Sequence, residues 1–252
     1  MLAKYEDVCY ELLRPAQVKA RREECPIAYI VAGSLEWHGV QNPLGTDSLK
    51  AHAVCCEAAL KHGGVVLPPF YLGLHLNPEG IGAAGWGPDG WQGYTLGHNT
   101  EEMFEAAATG VARALVAGGW KVLVGVTGHD VPVQRDALDR AIRAATEGTG
   151  VRGFAVMEGA LHQPNNDIPL RMDHAGAWET SCMQYAYPDK VDLGELRSRG
   201  LSPDADMNIK GPEGIGGKNP LTHASADMGR KIIERMGDLI GEKAKALLVE
   251  TK

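Results

Sequence analysis

No stretch of the sequence stays apolar for the roughly 20 residues that a membrane-spanning helix requires. Lys4, Glu6, Asp7 and Glu11 break up any apolar segment near its start. The expected location is therefore cytoplasmic, with no membrane partner. Positive charge is also scarce. Lys and Arg number 25 against 32 Asp and Glu, a net charge of -7, so the basic surface that tracks phosphates is missing and nucleic acid is not an expected partner. Cysteine is limited to Cys9, Cys25, Cys55, Cys56 and Cys182, an odd, dispersed set without a C-x-x-C pair. That excludes a disulfide framework and zinc-finger spacing, and the five read as reduced core thiols. Cys182 follows an expected helix start, where a thiolate is favoured, but the buried-thiol reading ranks above a nucleophilic one.

What the chain does have is enough length and apolar content for a full core: 252 residues, 44% hydrophobic and 23% charged, the composition of an ordinary globular protein. Compact β-branched and apolar runs at residues 26–33, 121–127 and 153–157 read as strands buried on both faces, with a shorter one at 65–67. Helical patterns lie between and after them, at 48–62, 101–117, 133–147 and 226–248, with Asn99 and Glu102 placed like an N-cap and its capping-box partner. The alternation implies βαβ units. The expected fold class is α/β, one domain over residues 1–252, a three-layer αβα arrangement with a mainly parallel sheet. In such sheets ligands bind beyond the carboxyl ends of the strands, which directs attention to the residues that follow them.

Polar clusters occupy those positions. Gly33-Ser34-Leu35-Glu36-Trp37-His38-Gly39 follows the first strand, and Pro43-Leu44-Gly45-Thr46-Asp47 leads into the next helix. Glu36 and His38 are two residues apart, so in extended backbone both side chains leave the same face. Asp47 reads alternatively as the N-cap of the helix it precedes. Gly128-His129-Asp130 follows the strand at 121–127, and residues 173–181 read Asp-His-Ala-Gly-Ala-Trp-Glu-Thr-Ser at another helix start. Taken singly, each has a bland reading as a surface acid, a packed imidazole or a helix-terminal residue. Together, they place acids and imidazoles at one edge of the sheet.

These four runs, in this order, resemble the creatininase (creatinine amidohydrolase) family over nearly the whole chain. The resemblance implies a homohexamer with a divalent metal site that is usually binuclear. By motif, Glu36, Asp47 and His129 would hold one ion and His38, Asp47 and Glu179 the second, with Asp47 bridging. Such ligands suit Zn²⁺, Mn²⁺ or Fe²⁺, two per chain. They would activate a water for attack on a carbonyl, while His174, oriented or assisted by Asp173, carries the proton to the leaving nitrogen.

The match departs from the family at one ligand. A carboxylate used elsewhere two positions after the Gly-His histidine is here Val131, and the missing ligand is assigned to Glu179, with Asp130 as the alternative. The segment 75–99 also diverges, which argues against creatinine itself as substrate. Its Trp91, with Trp37 and Trp178, is expected to wall the substrate pocket. Gly80-Ile81-Gly82-Ala83-Ala84-Gly85 fits a dinucleotide fingerprint but follows no strand, and the Gly-Ser pair at 33–34 lacks the second glycine of a nucleophile elbow. The remaining histidines, His52 among them, read as structural or surface residues. The function expected is metal-dependent hydrolysis of a non-peptide C–N bond in a small cyclic amide or formamide. The alternatives are a metal-dependent hydratase or lyase acting on a small keto-sugar or cyclic polyol, and a non-catalytic binding protein.

Overall fold

Strand β1, Ile27–Ala32, is buried at every residue, as a run almost without polar side chains must be when both faces of its sheet are covered. Ile27, Tyr29 and Val31 enter one apolar layer, while Ala28 and Ile30 enter the other, following the two-residue period of a strand. The computed structural model describes residues 2–74, 100–200 and 213–250. Within them β1 is joined by β2 (Val65–Val66), β3 (Val122–Thr127) and β4 (Arg152–Met157) in the order β2-β1-β3-β4. Every pair is parallel, with Tyr29 opposite both Val66 and Val124, and Val124 opposite Phe154.

Helix α1 (Pro15–Glu24), which the sequence reading did not anticipate, precedes the sheet. Helix α2 (Thr46–His62) and α6 (Ala226–Glu250) pack side by side on one face of the sheet, α2 over β1, β2 and β3 and α6 over β3 and β4, with α5 (Ala177–Ala186) beside both. The small side chains of α2, including Ala51, Ala53, Val54, Cys55 and Ala58, are buried all round, and only its C-terminal end, with Leu60 and Lys61, reaches solvent. The opposite face is covered by α3 (Glu101–Ala117) and α4 (Pro132–Thr146). Phe104, Ala108, Ala112 and Leu115 form the single buried stripe of α3. Its N-cap is Thr100, whose hydroxyl accepts the Met103 N–H at 3.2 Å, one residue beyond the expected Asn99, which lies outside the described residues. The three-layer α/β arrangement expected from the sequence is the one observed. No helix among the described residues is long and apolar enough to cross a membrane.

The strand order creates a switch point. From β1 the chain goes out to β2 on one side, then returns to β3 on the other, so the connections after β1 and β3 diverge and open a crevice at their carboxyl ends. Two glycines let α2 reach into that crevice. A Cβ on Gly33 would stand 2.5 Å from the Ser48 backbone nitrogen, and one on Gly128 would stand 2.0 Å from the Asp47 carbonyl oxygen. Gly128→Ala is therefore expected to displace the α2 N-terminus and lower stability by about 1–3 kcal/mol. Gly110→Ala in α3, where an added Cβ meets nothing within 4 Å, should instead gain about 0.5–1 kcal/mol. Denaturant unfolding of the two variants checks both signs.

Candidate metal centre

Past β1 the chain stays inside the protein, and Glu36 and His38 are buried at the crevice. Helix α2 begins at Thr46 with Gly45 as its N-cap, so Asp47 lies within the first turn and is not the cap that the sequence offered as an alternative. Its carboxylate turns inward and accepts a hydrogen bond from the Ser34 hydroxyl at 2.6 Å. His129 follows β3, and Glu179 sits in the first turn of α5.

These residues converge. His129 Nδ1 lies 3.0 Å from both Glu36 Oε1 and Asp47 Oδ2, and His38 Nε2 lies 3.2 Å from Asp47 Oδ1 and 3.4 Å from Glu179 Oε2. Glu36, Asp47 and His129 form one group, and His38, Asp47 and Glu179 a second, each with donor atoms within 4.8 Å of one another. Asp47 belongs to both. Asp130 is exposed and lies outside these groups, which leaves Glu179 as the carboxylate beside His38.

The imidazoles are held as metal ligands are held. His38 Nδ1 faces the Glu36 carbonyl at 3.1 Å and His129 Nε2 faces the Leu74 carbonyl at 3.0 Å. If each outer N–H donates to its carbonyl, the inner nitrogen of each ring is left as an acceptor directed at the carboxylates. The Leu74 N–H is in turn fixed by Gln134 Oε1 at 2.8 Å, while Gln134 donates to the Thr127 hydroxyl at 2.7 Å. The second imidazole is thereby tied to the end of β3. On Glu179, Oε2 accepts the Ala175 N–H at 2.6 Å, and Lys50 Nζ donates to Oε1. Ala175 adopts a φ of 56°, a left-handed conformation that an alanine holds only under constraint.

The charges explain why a cation belongs here. Burial pushes His38 toward neutrality, but Asp47 and Glu179 outweigh it and raise its pKa to about 9. His129 is raised well above the usual imidazole range, against burial, by Glu36 and Asp47. Burial alone would raise both carboxyls. The charge on His129 holds Glu36 below its ordinary value, and those on His38 and His129 hold Asp47 well below. In the metal-free protein, protons on two imidazoles thus stand in for cations among buried carboxylates. A donor set of carboxylate oxygens and imidazole nitrogens fits Zn²⁺, Mn²⁺ or Fe²⁺.

Two buried charges escaped the sequence reading. Lys50 lies 3.4 Å from Glu158 Oε1 and 3.7 Å from Asp47 Oδ1, and donates to the Gly128 carbonyl at 2.8 Å. Despite its burial, Glu179, Glu158 and Asp47 hold its pKa well above the ordinary value. Glu158 directly follows β4, where the strand-end rule could have found it; Lys50 is one helical turn from Asp47, but a helical lysine ordinarily reads as solvated.

Of the expected proton carriers, His174 stands beside the cluster, its ring 4.7 Å from that of His38 and its Nδ1 3.8 Å from Glu36 Oε1. Burial and the His38 charge lower its pKa. Asp173 accepts the N–H groups of Trp178 at 2.9 Å and Glu179 at 3.3 Å, capping α5, and burial and the Glu179 charge push its carboxyl up to about 8. Trp37 is buried and donates its indole N–H to the Glu213 carbonyl at 2.9 Å. Trp178 is fully buried and donates to Glu158 Oε1 at 3.2 Å. It supports the cluster from the core, which corrects its expected place in the pocket wall. Trp91 and residues 80–85 lie outside the described residues. Cys182 is buried and its thiol pushed well up by burial, as the inert reading held.

Comparison with known proteins places this geometry in context. The creatininase family model, described as creatinine amidohydrolase, matches residues 11–243. A curated creatinine amidohydrolase of Pseudomonas putida is 26% identical over 185 residues, 68% of each chain. A 3-dehydro-scyllo-inosose hydrolase of Thermotoga maritima is 31% identical over 68 residues, 27% of this chain and 22% of the relative. Among solved structures, a mutant creatininase complexed with creatine superposes with a TM-score of 0.70 at 22% identity, over 95% of this chain and 98% of the other.

A ligand imidazole must be neutral, so ions held by these two groups would displace the protons on His38 and His129. Loading at pH 7 is expected to release about two protons per chain. Because the metal-free pKa of His38 is raised to about 9, apparent affinity should climb as pH rises toward that value and fall on acidification. Calorimetric titration in two buffers of different ionisation enthalpy gives the proton count.

Proposed function

The chain belongs to the creatininase family of metal-dependent amidohydrolases, and on that premise we propose that it hydrolyses a non-peptide C–N bond in a small cyclic amide or formamide. The observation that carries the reading is the shared carboxylate: Asp47 joins the Glu36–His129 pair to the His38–Glu179 pair at the sheet's switch point. We assign the first ion to Glu36, Asp47 and His129 and the second to His38, Asp47 and Glu179. When bound, such ions polarise the scissile carbonyl and lower the pKa of a water.

The chain's own groups do the rest. Hydrolysis forms a C–O bond from water, breaks the C–N bond and delivers one proton to the departing nitrogen. His174 is the carrier we assign, because a lowered pKa leaves its imidazole neutral and ready to accept that proton beside Glu36. Asp173 acts at one remove, by capping the helix turn that presents Glu179. Lys50 holds Glu179 from the side opposite the Ala175 N–H. A cytoplasmic location, a homohexamer and loading with Zn²⁺, Mn²⁺ or Fe²⁺ complete the proposal.

A second reading, ring opening of a cyclic keto-polyol, is favoured by the 31% identity with the Thermotoga hydrolase over a 68-residue stretch. Product chemistry separates the two: C–N hydrolysis frees an amine or ammonia, or opens an amide ring, and polyol opening releases no nitrogen. On a panel of small cyclic amides, formamides and keto-cyclitols, turnover of the nitrogenous substrates supports the first reading, and turnover of the cyclitols alone overturns it. His174→Ala is expected to lower kcat by about 100- to 10,000-fold with metal content unchanged, and an unaltered rate would remove His174 from the proton path.

A further inference from the structure

A different set of metal-ligating side chains lies further along α2. His52 and Cys56 are four residues apart and share one face of the helix. Facing them is Cys9, in the N-terminal segment. That segment is pinned to β2 by the Val66 N–H, which donates to the Val8 carbonyl at 2.9 Å. All three side chains are buried. Cys9 Sγ lies 3.8 Å from Cys56 Sγ and 3.7 Å from His52 Nε2, and Cys56 Sγ lies 3.9 Å from the same nitrogen. We propose that Cys9, Cys56 and His52 form a second cation site, specific for a thiophilic divalent ion such as Zn²⁺ and separate from the carboxylate-rich centre.

The triangle already has the size of a tetrahedral face. With Zn–S bonds of about 2.3 Å and Zn–N bonds of about 2.05 Å, tetrahedral angles put two sulfurs about 3.8 Å apart and a sulfur and a nitrogen about 3.6 Å apart. The observed edges match within a few tenths of an ångström. The charges match as well. Two thiolates and a neutral imidazole around a divalent ion sum to zero, which avoids the large cost of a net charge in the core. The fourth position falls to a water, which keeps that balance. Ligand softness separates the two sites, because sulfur selects zinc-like ions while the centre at the strand ends, built from oxygen and nitrogen, also accepts Mn²⁺. An ion here ties the N-terminal segment to α2, the helix that carries Asp47.

Cobalt reports on this site and not on the other, since only thiolate ligands give an intense near-ultraviolet sulfur-to-cobalt band. The reduced full-length protein, titrated with Co²⁺, is expected to develop that band with about one equivalent per chain. Asp47→Ala should retain it, and Cys56→Ser and His52→Gln should lose or greatly weaken it. Absence of the band in the wild-type protein at cobalt saturation overturns the proposal without recourse to any variant, and so does a band that survives in the Cys9→Ser, Cys56→Ser double variant. A thiol count on denatured, unreduced protein that falls two short of five would mean that Cys9 and Cys56 pair as a disulfide instead, which also overturns it.

Discussion

Crowding of negative charge at one buried point is the constraint on which the rest of the structure depends. Glu36, Asp47, Glu158 and Glu179 are all buried. Each ionised carboxylate withdrawn from water costs several kcal/mol unless it is paired. Lys50 compensates one corner, and backbone N–H groups and the Ser34 hydroxyl satisfy individual oxygens. What remains is balanced by protons on His38 and His129, or by the cations that would replace them. A core assembled for stability alone would use none of this, which supports the proposal that the cluster is the functional part of the molecule.

The scaffold can be understood as the device that brings those charges together. Neighbouring parallel strands end at the same edge, the switch between β1 and β3 opens a gap there, and Gly33 and Gly128 leave room for the first turn of α2 to enter it. Asp47 arrives from the helix, His129 from β3, Glu36 and His38 from β1, and Glu179 from a helix turn fixed by Asp173 and by the strained backbone at Ala175. These groups thus come from four separate segments of the chain, two of them irregular stretches after strands and two of them helix first turns. That is how carboxylates and imidazoles are held against their mutual repulsion and desolvation.

Much of this was legible in the sequence, for reasons that can be named. Apolar, β-branched runs read as strands, so residues 26–33, 121–127 and 153–157 identified the sheet within a residue or two of its observed limits; burial on both faces holds for β1 and β3, whereas β4, at the edge among the described strands, is buried only at alternate residues. The strand-end rule then pointed to Glu36, His38 and His129. Legibility failed where a role depends on packing across the fold. Nothing local separates Trp178 in the core from a tryptophan in a pocket wall, and Asp173 beside His174 suggests a proton relay until the helix it caps is seen. Lys50 looks solvated until three buried acids surround it. Cys9 and Cys56, 47 residues apart, show no ligand spacing because the N-terminal segment meets α2 only in three dimensions.

The central claim is that Asp47 bridges two ions. Anomalous diffraction from crystals loaded with Mn²⁺, an ion suited to oxygen and nitrogen ligands, tests it most directly. The account predicts two manganese peaks, one on either side of the Asp47 carboxylate, the first also in contact with Glu36 and His129 and the second with His38 and Glu179. A single peak, or peaks that do not touch Asp47, would contradict it.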